Sequence, residues 1–257
     1  MRTNPLKAKL KKRELSIGSW ITIGNEIVAE AMASQDFDWL VVDMEHSAIE
    51  LPQAQNLIRV IDLKGKVPLV RVGENNPNII KRVMDAGAYG VIVPMVNSKD
   101  EAMRAVQSVK YPPKGKRGVG LARAQGHGVG FEEYKEWVAK ESVVIVQIEH
   151  IDAVQNLEDI LSVEGVDGFM VGPYDLSGSI GHPGKFNHPK VKSALDHVKY
   201  VTKRLKANSG FHVIPPDPKE MNQKIKDGYT VLAFSLDTLI LQRSCQSILK
   251  QVNRKKK

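Results

Sequence analysis

The chain has 257 residues, of which 42% are hydrophobic and 26% charged, as in an ordinary globular protein. No apolar run reaches the length of a membrane span, and no apolar segment follows the basic amino terminus as in a secretory signal. The single cysteine, Cys245, excludes an internal disulfide framework. We therefore expect a cytoplasmic protein. The net charge of +8 comes largely from the two ends, 7–13 and 253–257, and no nucleic-acid module lies between them, so we expect no nucleic-acid or membrane partner.

Apolar strand candidates alternate with helical stretches along the chain. The predicted strands cover 16–23, 39–44, 67–72, 90–96, 143–149, 168–172, 210–214 and 230–235. The predicted helices cover 25–35, 51–63, 77–86, 98–109, 151–163, 189–208, 217–227 and 237–251. Eight strands, each followed by a helix, predict a single (β/α)₈ barrel domain over 1–257, with basic tails at 1–14 and 252–257. A doubly wound sheet is the alternative, but the turn after the first strand lacks a glycine-rich nucleotide fingerprint.

Polar side chains follow several of these strands at the point where each strand ends. Because the carboxyl ends of barrel strands surround the active site, these side chains are predicted to meet at one mouth. The second strand runs into the sequence DMEH, in which an acid, a base and a strand end lie within four residues. The residues at these strand ends are Asp43, Glu45, His46, Arg71, Gln147, Glu149 and Asp175.

Glu149 and Asp175 are candidate metal ligands. Each follows a nearly continuous apolar strand, and no cysteine or paired histidine lies nearby. Two carboxylates with water and substrate in the other positions are what Mg²⁺ typically uses. The alternative is a pair of solvated acids at the rim, which the glycine and proline of the GPYD turn disfavour because they fix the direction of Asp175.

His46 and Arg71 are the other candidates for chemistry. Histidine has a pKa near working pH and suits a general base, although most single histidines are satisfied by a neighbouring loop. Arg71 could hold a carboxylate or stabilise an enolate, and the alternative is a structural salt bridge to Asp43 or Glu45. Asp85 is anomalous because a carboxylate in the last turn of a helix opposes the helix dipole.

Two glycine-rich segments, 117–130 and 177–189, match no phosphate-binding fingerprint. Both are predicted to be long loops between a strand and a helix, which in barrels cover the mouth and can move.

Together these segments resemble the HpcH/HpaI family of class II, metal-dependent pyruvate aldolases. The resemblance extends from about residue 15 to 250. The turn GPYDLS departs from the family by having Tyr174 where its best-known pyruvate aldolases have alanine, and the last strand ends in FSLDT instead of a glycine-bearing turn. The matching segments are IGSW (17–20), FDWLVVDMEH (37–46), VPLVRV (67–72), KRVMDAGAYGVIVPMV (81–96), YPPKGKRGVG (111–120), VQIE (146–149), VEGVDGFMVGPYDLS (163–177) and LDT (236–238).

The resemblance implies a role for each site residue. His46 would be the acid/base, Asp85 would raise its basicity, and Arg71 would stabilise the enolate. Whether Asp85 serves its own or a neighbouring subunit stays open, because its helix end faces away from the mouth in a plain barrel. The remaining implied roles are metal binding by Glu149 and Asp175, substrate contact by Gln147, carboxylate binding by the amides of Tyr174 and Asp175, and lining of the site by Trp20 and Arg117. The family is also hexameric, a trimer of dimers, with the last helix exchanged between neighbours.

The function expected from these residues is reversible retro-aldol cleavage of a 4-hydroxy-2-oxo acid, or of a 2-keto-3-deoxy sugar acid, to pyruvate and an aldehyde. The cofactor would be Mg²⁺, Mn²⁺ or Co²⁺, acting as a Lewis acid on a metal-bound enolate. No lysine follows an apolar strand at the mouth, which disfavours Schiff-base chemistry. Adjacent strand-end residues project to opposite sides, so Glu45 would support a water or a loop amide while His46 reacts. Alternatives are a lyase acting on an acyl-CoA, a condensing enzyme, or a non-catalytic small-molecule-binding barrel.

Overall fold

The structure, a computed structural model, describes residues 3–252, which form a closed barrel of eight parallel strands. Each strand pairs with its neighbours in chain order, and the last strand closes on the first. The predicted (β/α)₈ barrel is therefore confirmed. The strands are β1 Ser16–Ile21, β2 Trp39–Asp43, β3 Val67–Arg71, β4 Gly90–Val93, β5 Val143–Ile148, β6 Gly168–Val171, β7 Ser209–Val213 and β8 Val231–Leu236.

Helices surround the barrel, and several begin at side chains that cap the first turn. Asn76, for example, accepts hydrogen bonds from the amides of Asn78 and Ile79 and precedes a proline that favours the first helical position. Within the described residues, no helix is long and apolar enough to cross a membrane. The helices are α1 Pro5–Lys12, α2 Glu26–Ala33, α3 Leu51–Leu63, α4 Pro77–Asp85, α5 Lys99–Val109, α6 Phe131–Glu141, α7 Ile151–Gln155, α8 Leu157–Leu161, α9 Pro173–Ser179, α10 Pro189–Leu205, α11 Pro218–Lys226 and α12 Asp237–Gln251.

The barrel interior is closely packed because its strands consist mainly of valine, isoleucine and leucine. Every residue of β2 and β5 is buried, as expected for strands covered on both faces. Gly18 on β1 is required for this packing, since a Cβ at that position would come within 2.1 Å of the Trp39 indole. The wide side chain of one strand is thus accommodated by the absence of a side chain on its neighbour.

The basic amino terminus is a docked helix. Leu6 and Leu10 of α1 are buried, Lys7 forms an ion pair with Asp167, and Lys9 forms one with Asp38. The prediction of a tail up to residue 14 is therefore wrong for α1, because its lysines pair with acids beside the amino ends of the strands. The basic run 253–257 lies outside the described residues.

The glycine-rich segment 117–130 was predicted to cover the mouth, but it does not cover the mouth of its own barrel. It connects α5 to α6, which precedes β5, and it therefore lies at the amino-terminal end of the strands. Arg123 of this segment donates to the carbonyl of Ala86 at 3.1 Å and pairs with Asp62 at 3.1 Å, both at or just beyond carboxyl ends of outer helices. The second segment, 177–189, does stay at the mouth, where Phe186 packs edge-on against Tyr174 with ring centroids 5.0 Å apart.

The last helix, α12, extends away from the barrel with little covering it. Leu241, Ile248 and Leu249 are 60%, 63% and 53% exposed. Most of its residues from 241 onward are exposed on every side, although several are large and apolar. Uncovered apolar side chains of this kind are typical of helices that pack against a partner surface.

Candidate active site

A cavity of about 220 Å³ lies at the carboxyl ends of the strands. The alternation of side chains along each strand directs every second residue into it, which is why Gln147 and Glu149, two positions apart, both reach the cavity. The sequence-predicted residues that the structure brings together in its lining are Trp20, His46, Arg71, Gln147, Glu149, Tyr174 and Asp175.

Arg71 is held in place by two acids and an aromatic ring. Its Nε and Nη2 atoms donate to the two oxygens of Asp43 at 2.9 and 2.6 Å, and its Nη1 lies 3.2 Å from Oε2 of Glu45. Its guanidinium lies over the Trp20 indole, 4.3 Å from the ring centroid. Burial would raise the pKa of Asp43, but the hydrogen bonds and charge of Arg71 and the amides of Glu45 and His46 lower it overall. Arg71 and Asp43 therefore form a fixed, charged pair at the end of β2 and β3.

Glu45 and His46 point into different environments. The Glu45 side chain is 15% exposed and turns toward Arg71, whereas the His46 side chain is 66% exposed at the edge of the cavity. His46 Nε2 lies 3.9 Å from Oε2 of Glu45. Asp43 fixes the backbone at these two residues, because its Oδ1 accepts hydrogen bonds from the amides of Glu45 and His46 at 3.0 and 3.3 Å.

Glu149 is a buried carboxylate whose two oxygens are already oriented. Its Oε1 accepts from the amide of Met95 at 2.7 Å, and its Oε2 accepts from the side-chain amide of Gln147. Burial raises the pKa of Glu149, and the nearby charge of Asp175 adds to this effect. Gly172 leaves room for it, since a Cβ there would come within 2.7 Å of Oε2. Asp175, in the first turn of α9, is exposed at the rim.

The donor set fits a hard divalent cation. Burial and the charges of Glu149, Asp43 and Asp175 together raise the pKa of Glu45 to about 7, against the opposing effect of Arg71. Oε1 of Gln147 is also buried without a hydrogen-bond partner among residues 3–252. Within that range no three histidines, cysteines or acids form a ready metal cage. Two carboxylates in an electronegative cavity, with positions left for water and substrate, are the arrangement that Mg²⁺ accepts.

Asp85 and Arg117 are not at this mouth in their own chain. Asp85 is the last residue of α4 and lies at the amino-terminal end of the barrel, opposite His46. Nη2 of Arg117 donates to Oδ1 of Asp85 at 2.5 Å, and its Nη1 donates to the Tyr134 hydroxyl at 3.0 Å. Arg117 is 3% exposed, and although burial would lower its pKa, the hydrogen bonds to Asp85 and Tyr134 raise it overall. Arg117 therefore does not line the mouth of its own chain, because the segment that holds it lies at the other end, and its place in the site stays a prediction.

His212 is the functional candidate that sequence reasoning missed. It lines the cavity from β7, and its ring centroid is 5.3 Å from that of Trp20. The strand sequence GFHVI could have revealed it, because side chains along a strand alternate between its two faces. Phe211 packs outward against Tyr229, so the next residue, His212, must point inward. His212 was not among the predicted site residues, because no acid lies beside it in the sequence as Asp43 and Glu45 lie beside His46.

Comparisons with known proteins identify the family. The sequence profile of the HpcH/HpaI aldolase/citrate lyase family matches residues 16–243. The chain belongs to this family. It is 34% identical over 240 residues to the 2-keto-3-deoxy-L-rhamnonate aldolase of Escherichia coli O17:K52:H18, covering 93% of this chain and 89% of that enzyme.

Solved structures of family members agree in fold. A HpcH/HpaI aldolase/citrate lyase family protein from Burkholderia cenocepacia J2315 superposes with a TM-score of 0.91 at 33% identity, covering 97% of this chain and 99% of that protein. A citrate synthase superposes with a TM-score of 0.83 at 26% identity, covering 95% of this chain and 96% of that enzyme. This barrel is therefore shared by a protein of the HpcH/HpaI aldolase/citrate lyase family and by a citrate synthase.

Proposed function

We propose that this protein is a divalent-metal-dependent aldehyde-lyase. It would cleave a 4-hydroxy-2-oxo acid, or a 2-keto-3-deoxy sugar acid, reversibly to pyruvate and an aldehyde. The observation that supports this most is the cavity itself, where two metal-competent acids, Glu149 and Asp175, face a fixed cation, Arg71, and an accessible base, His46. The aldolase relative from Escherichia coli supports the reaction class.

The residues of the cavity divide the reaction among them. A divalent ion (Mg²⁺, Mn²⁺ or Co²⁺) held by Glu149 and Asp175 would supply Lewis acidity toward the 2-oxo acid. The substrate carboxylate would lie against the first-turn amides of Tyr174 and Asp175, which have no partner inside α9, and Gln147 would contact the substrate beside them. These contacts fix the carbon chain relative to the base.

Proton and charge transfer would be carried out by two side chains. His46 would remove the proton from the C4 hydroxyl, directly or through water, and the C3–C4 bond would break to release the aldehyde. Arg71, already oriented by Asp43, would offset the negative charge that develops on the enolate oxygen. His46 would return the proton as the enolate becomes pyruvate.

The position of Asp85 limits how it could assist His46. Since the two residues lie at opposite ends of one barrel, Asp85 could approach His46 only from a neighbouring subunit. The exposed apolar face of α12 supports an assembly in which such an approach occurs. We propose a homo-oligomer, a hexamer by resemblance, with the partner subunit completing the site and α12 exchanged.

A condensing reaction is the second candidate, because a citrate synthase shares 26% identity with the chain. Both reactions would proceed through an enolate, so the distinction lies in the second substrate. Assaying pyruvate release from a panel of 4-hydroxy-2-oxo acids tests the first proposal. Release from at least one member at rates well above background is the expected result. Failure to cleave any member, with citrate formed from oxaloacetate and an activated acetyl donor, would favour the condensing enzyme, and binding without turnover of either would indicate a non-catalytic barrel.

A further inference from the structure

One wall of the cavity has no part in the chemistry proposed above. The wall with the proposed metal ligands is formed by the ends of β5 and β6. The wall with Arg71 and the proposed base, His46, is formed by the ends of β2 and β3. The remaining wall comes from β7, β8 and β1 and contains His212 beside Trp20. A histidine whose ring reaches a substrate cavity without touching an acid or another histidine calls for a separate explanation.

The contact of His212 with Ser235 determines which nitrogen bears the hydrogen. Nε2 lies 3.1 Å from the carbonyl oxygen of Ser235, and a carbonyl can only accept, so Nε2 must bear the hydrogen. Burial and the charge of Arg71 together lower the pKa of His212 to about 4, although this bond and the charge of Asp43 act in the opposite direction. The ring is therefore neutral at physiological pH, and its Nδ1 is an unprotonated acceptor.

Ser235 keeps this ring in one orientation. It lies in the left-handed region with φ of 53° and is fully buried at the end of β8. Its carbonyl also accepts from the hydroxyl of Ser19 at 3.4 Å. Among residues 3–252, Nδ1 of His212 has no hydrogen-bond partner, and it is not among the buried polar atoms that are sealed from solvent. A fixed acceptor that is not sealed from solvent thus lies on a ring that lines the cavity.

From this geometry we infer that His212 determines specificity by accepting a hydrogen bond from a hydroxyl on the aldehyde half of the substrate. The inference rests on the proposed aldolase function, because the metal and Arg71 sides would hold the pyruvate half and leave the wall of β7 and β1 for the rest. A 2-hydroxyaldehyde satisfies Nδ1, whereas an alkyl aldehyde displaces water from it and leaves it unpaired. The substrate class is therefore one that releases a hydroxylated aldehyde.

Two substrates that differ by one hydroxyl test this inference. They are 4,5-dihydroxy-2-oxohexanoate, with both C5 configurations assayed, and 4-hydroxy-2-oxohexanoate. For the wild-type protein we expect kcat/KM to favour the better dihydroxy isomer by about tenfold or more, the value of one buried hydrogen bond. His212→Phe keeps an aromatic ring without an acceptor and should reduce this preference to within about twofold, whereas His212→Asn, which keeps an acceptor near the Nδ1 position, should retain part of it. His197→Phe, on the exposed surface of α10, is the matched control and should not alter it.

The outcomes separate this inference from the proposed function. Cleavage of both substrates by wild type at equal kcat/KM would overturn the role of His212 and leave the aldolase proposal intact. An unchanged preference in a folded His212→Phe variant would do the same. If wild type released pyruvate from neither of these substrates nor from the wider panel, the proposed function would fail, and this inference with it.

Discussion

In the proposed mechanism, Arg71 has a structural and a chemical role at once. Its bidentate contact with Asp43 and its stacking on Trp20 fix the guanidinium before any substrate arrives. A cation oriented in advance stabilises developing charge without reorganising during the reaction. The salt bridge that the sequence offered as an alternative explanation is therefore the means by which Arg71 is positioned.

The His46→Ala substitution tests the division of roles at the mouth. His46 lies at the rim and is exposed, so its removal should leave the acids undisturbed. We expect kcat to fall by roughly 10²–10⁴-fold, the usual contribution of a positioned base, with metal affinity nearly unchanged by calorimetry. Glu149→Ala or Asp175→Ala should abolish both metal binding and turnover. Wild-type kcat in His46→Ala across the pH range, or loss of the metal, would show that DMEH serves coordination instead.

Glu45 should make the metal-free protein sensitive to pH. Its pKa in the folded state, about 7, lies above that of a free glutamate, so the proton it retains stabilises the fold at low pH, and this stabilisation is lost as pH rises toward 7. In EDTA, Glu45→Gln should therefore have a higher free energy of unfolding than wild type. This difference should grow by up to about 1.4 kcal/mol per pH unit between about pH 5 and 7. Urea denaturation at a series of pH values measures it. Glu136→Gln, at an exposed pair, is the control, and an equal pH response of both variants would refute the assignment.

At the scale of elements, the sequence predicted the bounds of fully buried strands well. It was less informative where an additional helix interrupts the alternation of strands and helices. The strand ends that hold Arg71 and Glu149 were predicted within one residue, because continuous apolar runs mark strands covered on both faces. The segment 117–130 was assigned to the wrong end of the barrel, because α6 was not recognised between it and β5. The buried residues of α6, Tyr134, Trp137 and Val138, have helical spacing. The prediction missed this helix because it assumed one helix after each strand.

The helix α1 should contribute strongly to stability through one lysine. Lys7 donates to the Ser142 carbonyl at 3.1 Å and pairs with Asp167, and both side chains of the ion pair are nearly buried. Lys7→Ala leaves Asp167 buried without its partner, so we expect the free energy of unfolding to fall by about 3 kcal/mol. Lys9→Ala removes a pair with Asp38 that is about one-third exposed and should cost less than about 1 kcal/mol. Equal losses in chemical denaturation would contradict the docked position of α1.

At the scale of the whole molecule, the proposed assembly would bring the ends of different barrels together. The reactive mouth and the pair of Asp85 and Arg117 lie at opposite ends of one chain, and α12 presents apolar side chains that its own barrel does not cover. One sequence cannot reveal this relation, because residue spacing describes contacts within a chain and not those between copies. A shared site would explain why both ends contain charged residues held by buried contacts.

Complementation between inactive variants tests a shared site. His46→Ala and Asp85→Asn, which keeps an acceptor for Arg117, should each be nearly inactive alone. After they are unfolded together and refolded in equal amounts, about one quarter of the sites should have both wild-type residues and recover activity. Sedimentation at micromolar concentration should show an oligomer throughout. A stable monomer, or a mixture no more active than the variants alone, would restrict Asp85 to a structural role.

The dependence of turnover on a divalent ion tests the central proposal most directly. The measurement is pyruvate release from a cleavable 4-hydroxy-2-oxo acid before chelation, in excess EDTA, and after addition of Mg²⁺ or Mn²⁺, with borohydride added in parallel. Because Glu149 and Asp175 are the only acids proposed to hold the ion, affinity should be modest and chelation complete. We expect activity to be lost in EDTA, restored by either metal, and unaffected by covalent trapping. Undiminished turnover in EDTA, or a borohydride-trapped adduct on a lysine, would contradict the assignment of a metal-dependent aldolase.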